Sequence, residues 1–83
     1  MTASVSAINF AFSPSSLSVR VGTRVTFTNR DAATHTFTAD AGLFNSGNVA
    51  SGQSYVFTFM GTGSFAYHCQ IHTYMKGTVI VTG

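Results

Sequence analysis

Residues 55–69 have the sequence YVFTFMGTGSFAYHC, in which two alternating segments flank a glycine turn. Aromatic residues occupy every second position from Tyr55 to Phe59 and again from Phe65 to Tyr67, with Gly61-Thr62-Gly63 between them. A period of two puts one set of side chains on one face of a strand. The stretch therefore predicts two half-buried strands joined by a turn, the second of which ends at Cys69.

The same alternation recurs along the rest of the chain, and no segment has a helical period of 3.6 residues. Further strands are predicted at Val5–Phe12, Leu17–Val21, Val25–Phe27, His35–Thr38 and Thr78–Thr82. Residues 39–52, rich in Gly, Asn, Ser and Ala, predict a surface excursion. Seven or so short strands within 83 residues indicate an all-β protein, a β-sandwich or Greek-key barrel with one domain over residues 1–83.

The alternation also predicts the core of the protein. Ten residues are assigned to the interior: Phe10, Phe12, Val19, Val25, Phe27, Phe57, Phe59, Phe65, Tyr67 and Val79.

Composition excludes several classes of protein. Charged residues make up only 7% of the chain and the net charge is +2, too little for a surface that follows nucleic-acid phosphates. No run approaches the roughly 18 apolar residues of a membrane span. The N-terminal Met-Thr-Ala-Ser-Val has neither the basic region nor the apolar run of a signal peptide, so the sequence predicts either a cytoplasmic protein or a trimmed mature form.

The segment that carries chemistry is YHCQIHTYMKG, residues 67–77. Cys69, His72 and Met75 are three residues apart, between a strand ending at Cys69 and another beginning near Gly77. A tight loop after a strand end can turn these three side chains toward one point. A lone cysteine is more often a buried apolar residue, but a thiolate, an imidazole and a thioether together form a ligand set suited to copper.

A second imidazole has to come from elsewhere in the chain. His68 adjoins Cys69 on an extended strand, so the two side chains point to opposite faces, and His68 is interpreted as facing solvent. His35 begins its own predicted strand after the turn at residues 31–34 and is the better candidate. Two His and one Cys with a distant Met form the ligand pattern of blue-copper electron-transfer sites.

The segment Tyr-His-Cys-x-x-His-x-x-Met-x-Gly, followed by a β-branched strand and preceded by an upstream His, resembles the cupredoxin family, and within it the amicyanin and plastocyanin-like members. The resemblance runs from Phe10 to Val81 and implies a Greek-key β-sandwich of seven to eight strands with copper at one end. It also implies a periplasmic or extracytoplasmic location. Thr36 stands where these relatives have Asn, so either its hydroxyl or its backbone N–H would tie the Cys69 loop to the His35 segment.

These features predict a type 1 copper protein that shuttles single electrons, with one copper per chain held by His35, Cys69, His72 and Met75. We expect a monomer, not an enzyme, whose redox partners dock transiently near His72 through apolar residues. That contact patch is predicted to contain Ile71, Tyr74, Leu43 and Phe44. The alternatives are a copper carrier or chaperone, the electron-transfer domain of a larger copper enzyme, and a structural zinc domain, which the weak thioether disfavours.

Overall fold

The computed structural model describes all of residues 1–83 and contains eight β-strands. The strands are β1 (Thr2–Ile8), β2 (Ala11–Ser13), β3 (Ser16–Arg20), β4 (Arg24–Asn29), β5 (Thr38–Ala39), β6 (Ser54–Thr58), β7 (Gly63–His68) and β8 (Lys76–Thr82). They form two four-stranded sheets with strand orders β2-β1-β4-β6 and β3-β8-β7-β5. The chain contains no helix long and apolar enough to cross a membrane. The all-β sandwich predicted from the alternation is confirmed.

The chain passes repeatedly from one sheet to the other between β2 and β7, which gives the sandwich its crossed connections. As a result β1 pairs in parallel with β4 and β3 in parallel with β8, whereas the other pairs are antiparallel. The segment after β4 contains His35 and the segment after β7 begins with Cys69. Two different sheets therefore contribute to the same end of the molecule.

The core lies between the sheets and is dominated by aromatic rings. Phe27 of β4 and Tyr67 of β7 belong to different sheets, and their ring centroids are 5.5 Å apart. Seven of the ten predicted core residues are buried: Phe12, Val19, Val25, Phe27, Phe59, Tyr67 and Val79. Phe57 and Phe65 are only partly buried and pack against these core residues. The buried Phe37 and Phe44 were not among these ten, and both lie outside the strands, in the segments before and after β5.

Two predicted strands are wrong in their bounds. The strand expected at 5–12 is interrupted by a turn in which Asn9 and Phe10 both have positive φ, 53° and 56°. Two central residues with positive φ are typical of the tight turn that matches the twist of a β-hairpin. The segment 35–38 is mostly irregular: only Thr38 belongs to β5, and His35 forms a single bridge with Val49.

Gly77 is required by the ring of Tyr67, its partner across β7 and β8. A Cβ atom at residue 77 would lie 2.5 Å from the Tyr67 Cζ and hydroxyl oxygen atoms. We expect Gly77→Ala to lower the free energy of unfolding of the metal-free protein by about 1–3 kcal/mol, the usual cost of overpacking a core. Urea denaturation measures this. Gly61→Ala is the matched control, since nothing lies within 4 Å of that position, and equal losses in the two variants would contradict the steric argument.

Candidate metal centre

Three side chains meet at the end of the sandwich where β4 and β7 finish. The Sγ atom of Cys69 lies 3.7 Å from Nδ1 of His35 and 4.0 Å from Nδ1 of His72, and the two nitrogen atoms are 3.2 Å apart. A point equidistant from the three atoms is about 2.1 Å from each, which agrees with metal–nitrogen and metal–sulfur bonds of about 2.0–2.3 Å. The structure therefore brings three of the four predicted residues together with a spacing that fits one metal ion.

His35 lies in the loop between β4 and β5 and is tied there to the segment between β5 and β6. It is fully buried, and its backbone exchanges two hydrogen bonds with Val49, of 3.2 and 2.7 Å. Asn29, the buried last residue of β4, donates from its side-chain amide to the carbonyl oxygens of Ala33 and Val49 at 2.8 and 2.9 Å. This role was not predicted, because an Asn at the end of a strand indicates a turn and not what its side chain contacts.

Asp31 orients the His35 ring and was also missed. Its Oδ2 atom lies 2.7 Å from Nε2 of His35, and its two oxygens accept hydrogen bonds from the backbone N–H groups of Asn9 and Phe10 at 2.7 and 2.9 Å. Burial raises the pKa of Asp31, but hydrogen bonds from Phe10, His35 and Asn9 outweigh it and hold the pKa below the ordinary 3.8. The ionised carboxylate can only accept, so Nε2 carries the proton and Nδ1 is left as a metal-binding lone pair.

Cys69 sits fully buried beyond the end of β7, where backbone N–H groups surround its sulfur. The N–H groups of Thr36 and His72 both donate to Sγ at 3.4 Å. Burial alone raises the pKa of the thiol, whereas these two hydrogen bonds lower it, with further contributions from His35 and Ile71, to about 6. Cys69 is therefore mainly a thiolate at neutral pH, which is the form that binds metals.

Met75 closes the loop that carries Cys69 and His72. Its carbonyl oxygen accepts from the Cys69 N–H at 3.1 Å, and its own N–H donates to the His72 carbonyl at 2.9 Å. The Met75 side chain is 2% exposed and belongs to the core cluster. Met75 therefore lies in the same loop as Cys69 and His72, with its side chain buried. Its role as a fourth, weaker ligand stays a prediction.

Thr36 uses both of the ties that the sequence left open. Its hydroxyl oxygen accepts a 2.8 Å hydrogen bond from the Gln70 N–H, and its backbone N–H donates to Cys69 Sγ. The loop that carries the thiolate is therefore bound to the His35 segment at the sulfur itself and at the backbone of the following residue.

Phe10, predicted to lie in the core, instead covers the cluster from outside. It is 43% exposed, and its ring meets those of His35 and His72 edge to face, with centroids 5.5 and 5.0 Å apart. The prediction was wrong because the turn at Asn9 and Phe10 breaks the alternation, so that Phe12 and not Phe10 faces the interior. The Asp31 carboxylate stabilises this turn by accepting both of its N–H groups.

The positive φ of Phe10 leads to a prediction about stability. We expect metal-free Phe10→Gly to be more stable than Phe10→Ala by about 1 kcal/mol, because glycine adopts this backbone region without the steric cost that a Cβ atom adds. Both variants lose the ring, so their difference isolates the backbone, and urea denaturation measures it. At an ordinary strand position alanine would be the more stable variant, and that order here would refute the strain argument.

Apolar side chains surround His72, which is itself half-buried. Besides Phe10, the exposed residues of this region include Tyr74, whose ring centroid is 6.3 Å from that of His72, and Ile71, the preceding residue. Leu43 is 47% exposed, but Phe44 was wrongly assigned to the surface. Phe44 is buried because its ring packs against Phe57 and Phe59 in the core.

His68 lies outside the cluster. Its Nδ1 atom is 2.5 Å from Oδ1 of Asp40, and its side chain is 29% exposed, whereas neighbouring Cys69 is fully buried. The alternation that separated these two residues in the sequence is thus present in the structure.

Comparison with known proteins identifies the class to which this fold and cluster belong. Residues 2–81 match the family described as the cupredoxin-like domain, so the chain belongs to the cupredoxin family. Amicyanin from Paracoccus denitrificans is 36% identical over 70 residues, which cover 78% of this chain and 53% of that protein. The chain therefore spans about half the length of this curated relative.

Solved structures show the same similarity. A reduced mutant of amicyanin superposes with a TM-score of 0.92 at 30% identity, covering 98% of this chain and 82% of the other. A purple cupredoxin from Nitrosopumilus maritimus gives 0.90 at 29% identity, covering 96% and 99%. A copper-containing nitrite reductase from Thermus scotoductus gives 0.92 at 28% identity, but only 23% of that chain is covered. The last similarity therefore concerns one part of a larger protein.

Proposed function

We propose that this protein binds one copper ion through His35, Cys69 and His72, with Met75 as a fourth, weaker ligand, and that it carries single electrons. The observation that carries the proposal is the cluster of one thiolate and two imidazoles around a point at bonding distance from all three. Copper bound there supplies one-electron redox chemistry between Cu(I) and Cu(II). Similarity to amicyanin, whose solved structures include Cu(I) forms, supports this choice of metal.

The residues around the cluster hold a geometry that can serve both oxidation states. Asp31 fixes the His35 ring, and two N–H groups fix the Cys69 sulfur, so the ligands need to move little when the charge changes. Hydrogen bonds to the sulfur and the dry core beside Met75 tune the reduction potential. His72 is the ligand nearest to solvent, and it is the port through which electrons enter and leave.

The count of histidines favours a carrier over an enzyme. The chain has three His. The one outside the cluster, His68, forms a hydrogen bond with Asp40. A catalytic copper would need further imidazoles from this chain. The partial similarity to a nitrite reductase favours one second candidate, an electron-transfer domain of a larger copper enzyme. Because His35 and Cys69 are fully buried, the site is less suited to a copper chaperone, which needs ligands that can exchange copper with a partner.

Titration with Cu(II) tests the proposal. We expect saturation at one equivalent, an intense visible thiolate-to-copper absorption, and reversible bleaching by a one-electron reductant. A protein that stays colourless with Cu(II) would overturn it. Copper that passes rapidly to a chelator would instead support the chaperone, and nitrite turnover by the isolated chain would support an enzyme.

We further propose that redox partners dock transiently over His72, on the surface formed by Phe10, Ile71 and Tyr74. Brief electron-transfer contacts typically bury less than about 1,200 Å².

The chain functions as a monomer outside the cytoplasm, where a cysteine occupied by metal is protected from oxidation. Sedimentation and localisation of the native protein check these two points.

The low charge predicts weak electrostatic steering. Between about 0.01 M and about 1 M ionic strength the Debye length falls from about 30 Å to about 3 Å. Because the chain has only six charged residues, with a net charge of +2, we expect electron self-exchange to change by less than about threefold over this range. Line broadening in NMR spectra of mixed oxidised and reduced protein measures the rate. The steep change of a steered association, about 10-fold or more, would contradict the prediction.

A further inference from the structure

A chain of hydrogen bonds runs from the ligand loop into the segment between β5 and β6, residues 40–53. The Gln70 N–H donates to the Thr36 hydroxyl at 2.8 Å, the Thr36 and Thr38 hydroxyl oxygens are 3.0 Å apart, and Thr38 lies 3.2 Å from Oδ1 of Asn45. Thr36 and Thr38 are 2% and 6% exposed, so little water competes for these groups. The four residues link the backbone next to Cys69 to a loop that contributes no ligand.

The donor and acceptor in each of these hydrogen bonds follow from the number of protons that each group carries. Asn45 Oδ1 also accepts the Gly47 N–H at 2.9 Å, and because an N–H can only donate, the atom there is oxygen and not the amide nitrogen. Thr38 must then donate its single proton to Asn45. Thr36 in turn donates to Thr38, which leaves its lone pairs for the Gln70 N–H. The orientation of the hydroxyl beside the ligand loop is therefore set at Asn45.

We propose that Thr38 and Asn45 are positioning residues for the metal centre, acting through Thr36 to hold the Gln70 N–H on the Thr36 hydroxyl and the Thr36 N–H on the Cys69 sulfur. This relay requires that Thr38 have a hydroxyl and not merely the right shape. Without it, the Thr36 proton loses its acceptor and the buried hydroxyl turns to find another, which weakens the tie to Gln70. The Thr36 N–H then stabilises the thiolate less, and a thiolate with weaker hydrogen bonds lowers the reduction potential of bound copper.

Amide hydrogen exchange in the metal-free protein tests the relay. Thr38→Val keeps the shape and removes the hydroxyl, whereas Thr38→Ser keeps the hydroxyl. We expect Thr38→Val to speed exchange at Gln70 by about tenfold relative to the core amide of Val79, and Thr38→Ser to stay within about twofold of the parent. In a Thr36→Val background, Thr38→Val should add nothing, because the relay is already cut.

An unchanged Gln70 amide in Thr38→Val, or a rise shared equally with Val79, would overturn the relay and leave Thr38 a packing residue only.

The effect on potential rests on the proposed copper function and is measured separately by voltammetry of the copper-loaded variants. We expect a lower reduction potential in Thr38→Val and the parent value in Thr38→Ser. Equal potentials, with altered exchange at Gln70, would refute the tuning role. A parent protein that shows no copper-dependent potential would refute the proposed function instead, and the exchange data would still decide the relay.

Discussion

Replacing Cys69 with serine is expected to abolish the intense visible absorption of the copper-loaded protein and its reversible one-electron redox chemistry. The absorption is a thiolate-to-copper band, and the reversible redox chemistry needs a ligand that keeps copper bound in both oxidation states. A serine hydroxyl, which does not ionise at neutral pH, supplies neither. We expect copper affinity to fall by more than about 100-fold, beyond the 10–100-fold typical of residues that only support a ligand. Absorption spectroscopy and voltammetry measure the two losses directly.

The same variant should also lose the stabilisation that bound metal provides. A ligand at about 1,000 times its Kd stabilises a folded protein by about 4 kcal/mol, which in a domain of this size corresponds to a rise in Tm of about 15–30 °C. Thermal unfolding with and without copper should show this rise in the parent protein and almost none in Cys69→Ser. The metal-free variant should stay folded, because a serine oxygen can accept from the Thr36 and His72 N–H groups that now donate to sulfur.

His68→Asn is the control for a general loss of metal binding. It removes an imidazole next to Cys69 in sequence but outside the cluster, so its colour and redox behaviour should match the parent protein. If Cys69→Ser kept the intense band, or His68→Asn lost it, the ligand assignment would be wrong.

The parts of this site that sequence predicts are those set by local geometry. Cys69, His72 and Met75 are adjacent in one short loop, so their spacing alone brings the side chains near each other. His35 followed from strand alternation, which separates His68 from Cys69, and this separation requires only an extended backbone. Such inferences survive errors in strand bounds, since His35 joins the cluster although it does not lie in the strand predicted for it.

The residues that were missed act over long distances in sequence. Asp31 contacts Asn9 and Phe10, 22 and 21 residues earlier, and Asn45 acts on the ligand loop through two threonines. No periodicity reports such contacts, because they depend on how irregular segments fold against each other. The same limit explains Phe10 and Phe44: a turn with positive φ exposed one, and a loop folded into the core buried the other.

Asp31 is also the residue outside the cluster for which we expect the largest loss on substitution. In the metal-free protein, Asp31→Ala should lower the free energy of unfolding by about 2–4 kcal/mol, because it leaves two turn N–H groups and a fully buried imidazole without their acceptor. Copper affinity should fall by about 10–100-fold, since His35 is no longer held with Nδ1 toward the metal. Urea denaturation and competition with a copper chelator measure the two effects.

The chain supplies its own matched control, because Asp40 is its only other acidic residue and also pairs with a histidine. That carboxylate is 54% exposed, compared with 11% for Asp31, and its partner His68 is outside the cluster. We therefore expect Asp40→Ala to cost no more than about 1 kcal/mol and to leave copper affinity unchanged. Asp31→Asn should lie between parent and Asp31→Ala, since one oxygen acceptor remains for three donors. Equal effects of Asp31→Ala and Asp40→Ala would mean that burial and the turn at Phe10 add nothing to an ordinary surface pair, and that His35 is oriented by the backbone at Val49 instead.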